Sequence, residues 1–187
     1  GAINIQYAAV KFSDADGTRT ISNWTSNVTN FKNIIANDNI LDADGGTNWQ
    51  AGIYEGNELL KEHDSGDRAN ATRIVIFLSD GVPTYDGRGT WDDRENGTGY
   101  QPDQEDVPWD STQTWNDIAG FARSAAAEAG NIDCNYFYTI GVGDDFEDQS
   151  SHAYTNLTTV KNGVTVREGG SSGIFAANDP ESLQNAF

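Results

Sequence analysis

Arg73 to Ser79 (RIVIFLS) holds five consecutive apolar residues and stops at Asp80-Gly81, with Pro83 close behind. A run that short and that apolar is the pattern of a strand buried on both faces, since a strand with one wet face alternates instead. Asn135 to Val142 (NYFYTIGV) repeats the pattern and closes at Gly143-Asp144-Asp145. Between them, Trp115, Ile118, Ala119, Ala122, Ala126 and Ala129 fall on one helical face. Two such strands joined through a helix read as a parallel pair, and parallel sheets need cover on both sides.

The remaining segments fit round that unit. Ile3 to Phe12 (INIQYAAVKF) is β-rich and ends in the turn-forming cluster Ser13-Asp14-Ala15-Asp16-Gly17. Thr18 to Trp24 resumes an extended pattern, so the two pieces predict a hairpin. Val28, Phe31 and Ile35 predict a short amphipathic helix. The loop Asp42-Ala43-Asp44-Gly45-Gly46-Thr47-Asn48 leads into a helix from Trp49 to His63, where Gly52 and Gly56 suggest close packing on a sheet. Residues 84–113 are polar and aperiodic, an insertion. Gly173 to Ala177 predicts a short strand, and Asp179-Pro180 opens a final helix. The expected fold is α/β: a three-layer sandwich with a mainly parallel central sheet, an antiparallel edge hairpin and helices on both faces. At 187 residues it is expected to be one domain, 1–187.

Charge narrows the partners. With 29 acidic against 11 basic residues the net charge is −18, which repels phosphate backbones and anionic membranes. Nucleic acid is therefore excluded as a partner, while divalent cations are attracted. No apolar run reaches the roughly 20 residues that span a bilayer, and Gly1 to Val10 lacks the basic flank and cleavage site of a leader. The single cysteine, Cys134, sits in an apolar stretch and reads as a packing thiol rather than a nucleophile. His63 and His152 have no partner at metal-ligand or triad spacing. No nucleophile–base pair or defined carboxylate pair is evident, so the expectation is that the protein is not an enzyme.

In an α/β sheet, ligands bind outside the carboxyl ends of the strands. Those ends lead into the loops after Phe12 and Ser79 and the loop before Trp49. Gly45-Gly46-Thr47-Asn48 opens a helix, and Leu78-Ser79-Asp80-Gly81-Val82-Pro83-Thr84 follows a strand. A threonine hydroxyl and a carboxylate are suitable oxygens for a hard cation such as Mg²⁺, which keeps several waters. The glycines permit close backbone approach.

Taken in order, INIQYAAVKFSD, a hairpin, GGTNWQAGIYEGNELL, RIVIFLSDGVPT, an insertion, YFYTIGVG and NDPESLQNAF resemble a von Willebrand factor type A domain. The resemblance implies a metal-ion-dependent adhesion site in which Thr47 and Asp80 are the metal-bearing threonine and aspartate. It also implies a divalent cation, Mg²⁺ first with Mn²⁺ or Ca²⁺ as alternatives, that grips a carboxylate of a protein ligand. The acidic chain without disulfides is most similar to the tip adhesins of Gram-positive pili. That implies an extracellular place on the cell wall or pilus, with host, matrix or pilus-subunit proteins as partners. One part of the family pattern is absent: no Asp-x-Ser-x-Ser loop occurs in the 187 residues. The family's central first strand, which precedes that loop, is also not found, so the domain is expected to be N-terminally incomplete. The competing expectation is a structural or assembly domain with a vestigial site. In that reading Thr47 caps its helix and Asp80 bonds nearby backbone amides.

Overall fold

The computed structural model describes residues 4–13, 17–37, 46–62, 70–87 and 112–177. The hairpin is present as β1 (Tyr7–Lys11) and β2 (Arg19–Thr25), paired antiparallel. Helix α1 (Val28–Ile35) follows, N-capped by the Asn27 side chain, and then α2 (Trp49–Glu62). Strands β3 (Ile74–Ser79), β4 (Tyr136–Val142) and β5 (Ser171–Ala177) form a parallel sheet in that spatial order. Helices α3 (Thr112–Ala129) and α4 (His152–Gly163) make the crossovers.

The sequence contained a signal for α4 that the reading above passed over. Ala153, Asn156, Leu157 and Val160 are its buried positions, spaced i, i+3, i+4, i+7, and Ser151 caps its first turn. A buried asparagine in the stripe and threonines around it mask the period. The stripe on α3 is also rotated from expectation: Phe121 and Ala125 are buried, whereas Ala119 and Ala126 are only partly so. The final helix expected from Asp179, and most of the 84–113 insertion, lie outside the described residues.

One core joins α2, α3 and α4 to a single face of the parallel sheet, with Trp49, Ile53, Phe77, Ala122, Phe137, Leu157 and Val160 among its members. The hairpin reaches the same core through Phe12, whose ring stacks on Phe77 at 5.3 Å. On β2, Thr20 donates to Glu55 and the Trp24 indole donates to the Leu59 carbonyl, so this face looks at α2. Tyr7 points the other way and stacks on Phe31 of α1 at 5.2 Å. Helices thus lie on both sides of the sheet layer.

The doubly buried reading of β3 is not borne out. Val75 and Phe77 face the core, but Ile74, Ile76 and Leu78 are 59%, 48% and 43% exposed. The physical reason is that Ile74, Ile76 and Leu78 lie on the face of β3 turned away from the core of α2, α3 and α4. Among the described residues β3 pairs with β4 alone, and the hairpin forms a separate two-stranded sheet. Asn48 bonds the Ser13 carbonyl after β1, and Trp49 bonds Ser79 at the end of β3. Both strands therefore end close to the start of α2. No described strand lies between them.

At the opposite end a polar knot fixes the strand starts. Asn135 accepts from the Arg73 amide and donates its own amide to the Arg73 carbonyl, while Ser171 donates to the Asn135 carbonyl. Asp133 takes hydrogen bonds from Arg73 and from both Arg167 Nε and Nη2. The Arg167 hydrogen bond holds the Asp133 carboxyl below its ordinary value. A depressed carboxylate contributes stability in full above its unfolded pKa of about 3.9 and loses it as pH falls through the lower folded value. Asp133→Asn should therefore lower denaturant stability at pH 7 and flatten its decline on acidification. Urea titrations at pH 7 and pH 3 measure both.

The two helix glycines separate cleanly. A Cβ at Gly52 would stand 2.6 Å from the Phe12 ring, whereas at Gly56 it would meet nothing within 4 Å. Phe12 is already held by Phe77 and has little room to yield. Gly52→Ala should cost roughly 1–3 kcal/mol by overpacking. Gly56→Ala should gain about 0.5–1 kcal/mol from helix propensity. Equilibrium unfolding of the pair checks the sign difference.

Candidate metal site

Thr47 lies just before α2 and Asp80 just after β3, the two positions that sequence reasoning selects. The structure brings their loops together: a Cβ placed on Gly81, the residue after Asp80, would lie 3.6 Å from Thr47 Oγ1. Asp80 is exposed and Thr47 half-buried. Gly46 is needed for close approach, because a Cβ there would fall 2.0 Å from the Tyr85 ring. Gly45 lies outside the described residues.

The structural roles that could have occupied these side chains are filled by their neighbours. Asn48, not Thr47, caps α2: its Oδ1 accepts from the Ala51 amide at 2.9 Å. Ser79, not Asp80, serves the turn after β3. Its hydroxyl donates to the Gly81 carbonyl at 2.8 Å, accepts the Gly81 amide at 3.4 Å and accepts the Trp49 indole N–H at 2.9 Å. Among the described residues no hydrogen bond engages Thr47 Oγ1 or the Asp80 carboxylate. Both residues stand in loops at the carboxyl end of the sheet.

The residues that build this region and were missed are Asn48, Ser79 and Thr84. Thr84 Oγ1 accepts the Thr47 amide at 2.8 Å, and the amides of Thr84 and Tyr85 donate to the Thr47 carbonyl at 2.8 and 3.2 Å. The start of the insertion is thus fastened to the loop before α2. The Tyr85 ring packs over Gly46, and Asp86 and Gly87 continue the fastening to Asn48 and Gln50. Trp91, Tyr100 and Trp109, further aromatic residues of the insertion, lie outside the described residues.

Asp144 and Asp145, exposed in a 3₁₀ turn after β4, add negative charge at the same end of the sheet. Among the described residues no group of three or more His, Cys, Asp or Glu could hold a metal ion. Cys134 is fully buried and burial pushes its thiol up to about 11, as a packing residue requires. His152 stacks on Trp115 at 4.4 Å, away from any metal role, and His63 is outside the described residues.

The family model described as von Willebrand factor type A domain matches residues 1–98, over half of the chain. The chain belongs to the von Willebrand factor type A family. No curated protein matches it. Among solved structures, this type A domain is similar to the PilB minor pilin from Streptococcus sanguinis, with TM-score 0.63 and 17% identity over 98% of this chain and 47% of that one. A point mutant of the same pilin gives TM-score 0.63 and 18% identity with the same coverage. The chain thus spans about half the length of these structures, and the likeness is one of fold.

In this type A domain the Trp49–Ser79 bond joins the two loops of the site. Ser79→Ala would leave a buried indole N–H without a partner and free the Gly81 turn. We expect a loss of about 1–3 kcal/mol, read from urea midpoints, with Ser79→Thr losing less.

Proposed function

We propose that this domain is an extracellular adhesion module that binds a carboxylate of a protein ligand through a divalent cation held by Thr47 and Asp80. One observation carries the reading. The Thr47 hydroxyl lies next to the turn that carries Asp80, 3.6 Å from the Cβ position of Gly81, while adjacent residues perform the capping and turn-bonding that would otherwise employ Thr47 and Asp80. A hydroxyl and a carboxylate suit Mg²⁺, with Mn²⁺ or Ca²⁺ as alternatives; Mg²⁺ uses few carboxylates and retains waters. A cation held by one carboxylate keeps positive charge, which a ligand carboxylate would neutralise. Family membership and the fold shared with a minor pilin support a place at the bacterial cell surface, in a pilus or cell wall, with pilus subunits or host proteins as partners.

A second reading, assembly through protein contacts without metal, is favoured by the small donor set and by the absence of an Asp-x-Ser-x-Ser loop in this sequence. Metal-linked melting separates the two. A ligand at a hundredfold its Kd stabilises the folded state by about 2.7 kcal/mol. We expect the melting temperature to rise with millimolar Mg²⁺, to fall back with chelator, and to show no metal response in Asp80→Ala or Thr47→Val. A wild-type melting temperature indifferent to Mg²⁺, Mn²⁺ and Ca²⁺ would sink the metal reading and leave the assembly reading standing.

A further inference from the structure

The direction of a side chain at a loop residue is set by the two peptide planes that flank it. Fixing both fixes φ and ψ, and with them the Cα–Cβ vector. At Thr47 the plane toward Asn48 is held from both ends, since the Thr47 carbonyl accepts from Thr84 and Tyr85 while the Asn48 amide donates to Ser13 at 2.6 Å. The plane toward Gly46 is held through the Thr47 amide, and its acceptor is the Thr84 hydroxyl at 2.8 Å. Gly46 brings no side chain to steady that plane, and its Cα sits beneath the Tyr85 ring.

We infer that Thr84 is a positioning residue: its hydroxyl sets the backbone of Thr47 so that the Thr47 hydroxyl lies beside Gly81, in the turn that carries Asp80. The metal consequence rests on the function proposed above, whereas the backbone consequence does not. The strap from Thr84 to Gly87 runs alongside residues 47–50. It is tied to α3 by the Ser124 hydroxyl, which donates to Asp86 Oδ2 at 3.4 Å. The position of Thr47 is therefore referred to α3 as well as to its own helix.

Thr84→Val keeps shape and backbone bonds but removes the acceptor, and Thr84→Ser restores it. The test measures amide exchange at Thr47, normalised to β4 amides in the same sample so that global loosening cancels, together with Mg²⁺ titration of both variants. A net hydrogen bond of about 1 kcal/mol predicts exchange at Thr47 about fivefold faster in Thr84→Val and near wild type in Thr84→Ser. Mg²⁺ binding should weaken about tenfold in Thr84→Val and recover in Thr84→Ser. Unchanged Thr47 exchange in Thr84→Val, or equal acceleration in both variants, would overturn the inference. Faster exchange with undiminished Mg²⁺ affinity would also overturn it. If the wild-type protein binds no metal, the functional proposal fails, and the exchange comparison alone decides the role of Thr84.

Discussion

The bond from the Trp49 indole to Ser79 is the constraint on which the rest of the arrangement rests. Trp49 is wholly buried, its ring edge meets Phe77 at 5.6 Å, and it stands at the start of α2. A buried indole N–H needs an acceptor, and the acceptor here is the last residue of β3. That requirement ties the start of a helix to the end of a strand. Along its length the same helix carries the hairpin, by the Trp24 bond to Leu59, the Thr20 bond to Glu55 and the seat of Phe12 against Gly52. Helix α2 is the element that two otherwise separate sheets share.

The site follows from a division of labour among short polar residues. Threonine, serine, asparagine and aspartate all compete for exposed backbone groups at helix starts and strand ends. Around α2 and β3, Asn48 and Ser79 win that competition because their geometry suits the cap and the turn. Among the described residues no hydrogen bond engages the side-chain oxygens of the neighbouring Thr47 and Asp80. A loop whose polar side chains were all spent on its own backbone would be stable and inert.

Much of the fold was legible because it depends on local patterns. The hairpin, α1, α2 and the parallel strands all stand where periodicity and turn chemistry put them, whereas Thr47 and Asp80 as metal-bearing residues come from the family resemblance. What was not legible depends on partners distant in sequence. The exposure of Ile74, Ile76 and Leu78 follows from what packs on each face of β3, and five apolar residues in a row carry no record of that. Thr84 and Ser79 acquire their roles from residues 37 and 30 positions away. Gly52 and Gly56 look alike in sequence, yet only the first has a ring against it. Helix α4 was the exception: its period was present, diluted by Asn156 and by threonines.

Among the described residues no strand lies on the side of β3 away from β4, which bears on contact between copies of this domain. An edge strand that presents unpaired backbone and a row of aliphatic side chains is a template for pairing with another chain. Natural sheets blunt such edges with a lysine, a proline or a bulge, and β3 carries none of these along Ile74–Ser79. What opposes self-pairing is a property of the whole surface, the −18 charge that every copy shares. Repulsion of that kind acts over about 8 Å at physiological ionic strength and contracts as salt rises. The opposition this surface offers to self-pairing is therefore electrostatic and weakens with salt.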